Sequence, residues 1–223
     1  MCLRQRFRQP AFRAPRLTSA SGPARVEPAF GGGGGYGGST LFWLPDQPPT
    51  SRVAYFGAPQ TIQVMSQAAL DDAKHFETRQ VCEMVCEGID SKDYVSEYLG
   101  VFYFLIQHTR YMRDPRRTEL VRAPYIISRQ ILAGHRPSTD CDDLAAWLAA
   151  AALAMGGTAQ FATVAFNNIM AGPNRERQYS HVFTEAIEPR GGTRIVLDPV
   201  AAEKTKQMIA RVQYARVWPP LAA

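Results

Sequence analysis

The stretch RPSTDCDDLAAWLAAAALAMGG, residues 136–157, decides how the rest of the chain reads. From Leu144 onward it is almost uniformly apolar, and Gly156-Gly157 end it. This is the pattern of a helix buried on all sides with a glycine stop, expected over residues 140–155. The start of the helix is different. Cys141 stands between Asp140 and the pair Asp142-Asp143, with Thr139 or Asp140 placed to cap the first turn. A core cysteine needs no acidic neighbours, whereas a thiolate gains from the unpaired N–H groups and dipole of a helix N-terminus. The aspartates favour the same helix end but oppose a thiolate, so a nearby cation such as a histidine is needed to offset them. Three acids in a first turn are also an ordinary helix-end preference, and no metal site is read from them.

Outside this stretch, residues 66–89 show helical spacing of Leu70, Ala73, Phe76, Val81, Met84, Val85 and Ile89, and predict one helix. A second is expected from a cap at Asp90 or Ser91 to about Arg113, and a short one within 113–135 after the break at Pro115. Beyond Gly157 the period changes to two. QFATVAF (160–166), SHVFTEAIE (180–188) and TRIVLD (193–198) read as strands, with PRGG (189–192) as the turn joining the last two. Residues 41–64, rich in Pro and aromatics, suggest an extended lead-in with one strand. Helices first and an antiparallel sheet afterwards is an α+β order.

The chain has 223 residues, of which 46% are hydrophobic, enough for one domain with a sizeable core plus a tail. Its formal charge of +5 is not spread evenly. Residues 1–30 hold Arg4, Arg6, Arg8, Arg13, Arg16 and Arg25 against the single acid Glu27, so the remainder is neutral. The glycine run GGGGGYGGS (31–39) separates this arm from the rest and is expected to be flexible. Residues 1–39 are therefore read as a basic arm, and 40–223 as one domain, helical over about 66–157 and sheet over about 158–217. A basic arm suits an acidic surface or nucleic acid, bound without base specificity. Residues 144–174 carry no charge, but their alanine content and internal Gly-Gly and Gln160 favour a buried helix followed by a buried strand over a membrane span. Residues 1–30 lack the apolar region of a secretory signal, so the cysteines Cys2, Cys82, Cys86 and Cys141 are expected as free thiols in a reducing compartment. Cys82 and Cys86, one helical turn apart with no second pair to complete a zinc site, read as small core residues. No cofactor is called for.

Cys141 needs a base. Of His75, His108, His135 and His181, the first two fall on early helices and the third in a loop. His181 opens a strand, and a turn centred near Arg190-Gly191 sets Asp198 opposite residue 183, or 181–182 with a small register change. Asp198 can then orient the imidazole. A cysteine at a helix start, a histidine at a strand start and a carboxylate on the adjacent strand are the nucleophile, base and orienter of thiol acyl transfer.

TDCDDLAAWLAAAALAMGG, then YSHVFTEAI, then RIVLDPV resembles the transglutaminase-like superfamily, whose fold is a variant of the papain fold. Upstream, YMRDPRRTELVRAP resembles the segment that precedes the DCDD motif in bacteriophage- and prophage-encoded members, with Tyr111, Asp114, Glu119 and Pro124 at the matching positions. The resemblance covers roughly residues 66–200. It departs from the family at Thr139, where Gly is common, and at Phe183, where Trp or Tyr is common. It implies a catalytic triad of Cys141, His181 and Asp198, with the Cys141 N–H as the one identifiable oxyanion donor, and cysteine peptidase or amidase activity on a peptide or protein substrate. The rival expectation is a non-enzymatic virion structural or assembly protein of the same fold, its arm contacting neighbouring subunits or genome. A third is membrane or nucleic-acid surface binding through the arm alone. The first two place the chain in the host cytoplasm or the virion, with no membrane partner.

Overall fold

The alanine-rich helix is α5, Cys141–Ala154, and it forms the axis of the fold. Every residue from Asp142 to Leu153 is buried. Small side chains all round let neighbours approach closely, so both helices and strands can pack on it. The computed structural model describes residues 50–53, 58–114, 119–166, 170–171, 176–177, 179–200 and 212–221. These lie in the second of two units, Met1–Tyr36 and Gly37–Ala223; the arginine arm and glycine run fall outside the described residues.

Four further helices, α1 (Ala58–Asp72), α2 (Phe76–Cys86), α3 (Tyr94–His108) and α4 (Pro124–Leu132), all touch α5. So does an antiparallel sheet of β5 (Thr158–Ala165), β8 (His181–Ile187), β9 (Arg194–Leu197) and β10 (Tyr214–Val217), in the order β10-β5-β8-β9. Short ladders join β1 (Thr50–Val53) to β3 (Glu119–Arg122), β2 (Arg110–Tyr111) to β4 (Ser138–Thr139), and β6 (Met170–Ala171) to β7 (Glu176–Arg177). The architecture is mixed α+β, five helices and a small four-stranded sheet among the described residues. The uncharged run 144–174 begins as α5 and the largely buried β5, and no described helix is long and apolar enough to cross a membrane.

Specific contacts fix α5 against its neighbours. Trp147, fully buried, donates from Nε1 to Ser128 Oγ of α4 at 2.8 Å, and that hydroxyl lies 3.4 Å from Thr78 Oγ1 of α2. The C-terminus closes as the glycine pair predicts. Gly156 has φ +84°, its N–H donates to Leu153 O, and the Gly157 N–H donates to Ala152 O, the paired bonds of a Schellman stop. Gly157 is also required by space: a Cβ there would collide with Tyr98 Oη and sit 3.1 Å from Ile187 O.

Several boundaries differ from the sequence reading. The single helix expected over 66–89 is two, α1 and α2, and the first begins at Ala58, inside the expected lead-in. No Gly or Pro marks the break between them. It occurs where buried Asp72 turns its carboxylate to the Tyr125 N–H at the start of α4, 2.9 Å away. His75 then stacks on Tyr125 with 4.1 Å between ring centroids, and its Nδ1 lies 2.6 Å from Glu77 Oε2. The cap of α3 is Asp93, whose side chain accepts from Ser96 N, rather than Asp90 or Ser91. The short helix after Pro115 is α4, with Pro124 in its first turn, where a missing N–H costs nothing. Strand β10, not anticipated, pairs with β5 from Tyr214↔Ala165 to Val217↔Ala162.

Candidate active site

The chain reaches Cys141 along a fixed path. β4 lies parallel to β2, with Tyr111 opposite Thr139, and the Arg110 and Met112 N–H groups donate to Pro137 O and Thr139 O. Asp140 caps α5, its Oδ1 accepting weakly from the Asp143 N–H at 3.5 Å. Cys141 is thus the first helical residue, where backbone N–H groups have no carbonyl in their own helix. It is partly exposed and reduced.

The hairpin of β8 and β9 forms in the anticipated register. Its last pair is Thr184↔Leu197, so the next position sets Asp198 beside Phe183, one pleat from His181. The turn is closed by Glu188 N–H to Thr193 O and Gly192 N–H to Glu188 O, with Gly192 at φ +68°. His181 is buried, and its Nε2 lies 2.8 Å from Asp198 Oδ2. The other carboxylate oxygen accepts from the Val200 N–H at 3.1 Å. Asp198 is therefore fixed through both oxygens and holds one specified ring nitrogen.

Helix α5 and strand β8 run side by side in the same direction. Thr184 Oγ1 donates to Ala145 O at 2.7 Å near their beginnings, and Gly157 approaches Ile187 O at their ends. The same order of contacts along both elements puts Cys141 and His181 at one common end. Of the three residues singled out in the sequence, His181 and Asp198 are joined by a hydrogen bond, and Cys141 opens the helix packed on the histidine's strand.

The acids around Cys141 form a connected, buried group that sequence reasoning did not resolve. Asp140, Asp142 and Asp143 are all buried, and one carboxylate oxygen of each lies within 4.8 Å of the others. Asp143 Oδ1 accepts from the Arg122 N–H at 2.7 Å, and Arg122 Nη1 donates to Ser138 O at 2.8 Å. Asp114 accepts from the Leu120 N–H across the segment 115–118. Burial pushes Asp143 above the usual carboxylate range, and the charges of Asp140 and Asp114 add to it, against the opposing pull of Arg122. Asp114 is pushed up to about 6, by burial first and then by Asp140. Tyr111 is likewise raised, by burial and then by the neighbouring Cys141. Asp114 and Tyr111 stood out in the sequence only through the YMRDPRRTELVRAP segment. Arg122, from the same segment, is half-buried and ties β3 to the approach to Cys141.

The remaining histidines have local partners or none of chemical note. His108 Nδ1 lies 2.8 Å from Phe104 O and stacks on that ring, and His135 is exposed in the loop after α4. Compared with known proteins, this chain matches no family model, no curated protein and no solved structure.

Proposed function

We propose that this chain is a cysteine hydrolase or acyltransferase of transglutaminase-like type, with a papain-like arrangement of helix and sheet, acting on a peptide or amide bond. The hydrogen bond between buried His181 and half-buried Asp198, at the end of β8 that adjoins the start of α5, carries the reading. Such a pair is expensive to bury without a task, since an imidazole and a carboxylate both lose solvation.

In this mechanism the Cys141 thiolate adds to the carbonyl carbon, and the resulting oxyanion is met by first-turn N–H groups of α5. Asp198 engages Nε2, so Nδ1 is the ring nitrogen that takes the thiol proton and returns it to the leaving amine. The C–N bond breaks, leaving a thioester on Cys141. Water, or an acceptor amine, then adds to the thioester, His181 receives its proton, and the thiol is regenerated as the acid or new amide departs. Burial of Asp143 supports the scheme: a carboxyl held above its usual range carries less negative charge near neutrality and so opposes the thiolate less. The resemblance supports a location in the cytoplasm of the host cell or in the virion.

The test uses iodoacetamide and p-nitrophenyl acetate on the wild type and on Cys141→Ala, read by intact mass and peptide mapping. A single alkyl or acetyl group on Cys141, absent from the variant, is expected. A folded wild type in which Cys141 is inert to both reagents would remove the enzyme reading, leaving the virion scaffold with a basic arm in its place.

A further inference from the structure

At the opposite end of α5 from Cys141, a cleft of about 200 Å³ opens between α2, α3 and the last turn of α5. Three of its lining side chains carry sulfur: Cys82, Cys86 and Met155. Cys82 and Cys86 are one helical turn apart on α2, so they present to the same face. Met155, the C-cap residue of α5, brings its Sδ to 3.7 Å from Cys86 Sγ. Arg79, Glu83 and Glu97 complete the lining.

The thiols of this cleft are poor candidates for nucleophiles. Burial pushes Cys86 up to about 11 and Cys82 higher still, so neither offers appreciable thiolate near neutral pH. A metal ion overcomes that penalty because it displaces the proton directly on ligation. The donor set selects among metals. Two thiolates and a thioether are soft, and a thioether is a ligand for copper(I) rather than for zinc(II), magnesium or calcium. Spacing agrees. Sulfurs about 2.3 Å from a shared ion stand about 3.8–4.0 Å apart in tetrahedral or trigonal geometry, and the Cys86–Met155 pair is already there to within a few tenths of an ångström.

We infer that Cys82, Cys86 and Met155 form a three-sulfur site for a soft monovalent cation, copper(I) in particular. Binding releases two thiol protons to solvent and leaves the oxidation state of the metal unchanged. The bound group, two thiolates with one monocation, carries one net negative charge. The Arg79 guanidinium lines the same cleft, loosely paired with Glu83 at 4.0 Å. The site is independent of the Cys141 chemistry.

The experiment is an anaerobic copper(I) titration of the full chain against a chromophoric chelator. The background is Cys2→Ser with Cys141→Ser, which removes the competing thiols. One equivalent should bind, with two protons released and an X-ray absorption shell of sulfur alone at about 2.3 Å. Adding Cys86→Ser, at a half-buried position that tolerates the change, should weaken binding by more than the roughly 10–100-fold that loss of an outer-shell partner costs. Met155→Leu, which keeps the volume, should weaken it by at least about tenfold. Copper(I) lost in the double-serine background, unaltered affinity in Met155→Leu, or one tight equivalent of zinc(II) with no copper(I) bound would each overturn the assignment.

Discussion

The two ends of α5 place cysteines in opposite chemical settings. At the N-terminal end, Cys141 sits partly exposed among N–H groups and beside a histidine strand, within a group of buried acids. At the C-terminal end, Cys86 and Cys82 lie beside Met155, where a Schellman stop has already used the leftover carbonyls and burial keeps both thiols protonated. One helix thus separates a partly exposed thiol at its start from two thiols at its far end that burial keeps protonated. The difference comes from helix polarity and burial, not from the cysteines themselves.

The sharpest way to break this comparison is differential alkylation. Near neutral pH, Cys141 should react with iodoacetamide at least about 100-fold faster than Cys86, since a thiol held near 11 is about one part in ten thousand ionised at pH 7. Cys82 should not react in the folded chain. Time-resolved peptide mapping reads all three at once, and equal rates at both ends of α5 would end the contrast. Next in size are the partners of Cys141. Replacing His181 by Ala should lower acylation of Cys141 by about 10²–10⁴-fold, the range of general base catalysis. Asp198→Asn should cost less, because it keeps a hydrogen bond while losing control of which ring nitrogen carries the proton. Circular dichroism must show both variants folded for these rates to count.

At the other end, the expected effect is on stability. In Gly157→Ala the new methyl meets Tyr98 Oη, which is fully buried, and the Ile187 carbonyl. Overpacking of this kind costs about 1–3 kcal/mol, visible as a lower denaturant midpoint. The loss should leave the alkylation rate of Cys141 near that of the wild type. A parallel fall in both would mean that the two ends of α5 are mechanically coupled.

What the sequence made legible follows the range of the forces involved. The buried helix and its glycine stop are written in consecutive residues. The β8–β9 hairpin is local too, so the Asp198 register could be read from turn length alone. The break at residues 73–75 could not, because it depends on the Asp72 carboxylate meeting a backbone N–H 53 positions away. Strand β10 is four exposed residues whose pattern becomes a strand only through β5. The placement of His181 beside Asp198 was accessible from pattern, whereas the junction of Asp114, Arg122 and Asp143 was not. Those three are assembled by the β3 ladder and the start of α5, from segments with no shared periodicity.

That junction supplies the smallest predicted effect, and it tests the polar end of α5 directly. Asp114 is pushed up to about 6 in the folded chain from an unfolded value near 3.8. Between those two values the folded state holds the proton that the unfolded state has lost. Stability from this group is therefore present below about pH 4 and falls as pH rises through 6. Asp114 is only partly buried, so the full shift overstates the energy, and solvent screening reduces it to about 1 kcal/mol. In Asp114→Asn the side-chain carbonyl still accepts from the Leu120 N–H, but nothing titrates. Denaturant unfolding at pH 4.5 and pH 7.5 should show a smaller loss of stability on going to the higher pH in the variant than in the wild type, by about that amount. A pH dependence unchanged by the substitution would mean that Asp114 keeps an ordinary carboxylate in the fold. Asp114 would then add its own full negative charge to the acidic end of α5, and the chemical contrast between the two ends of the helix would narrow.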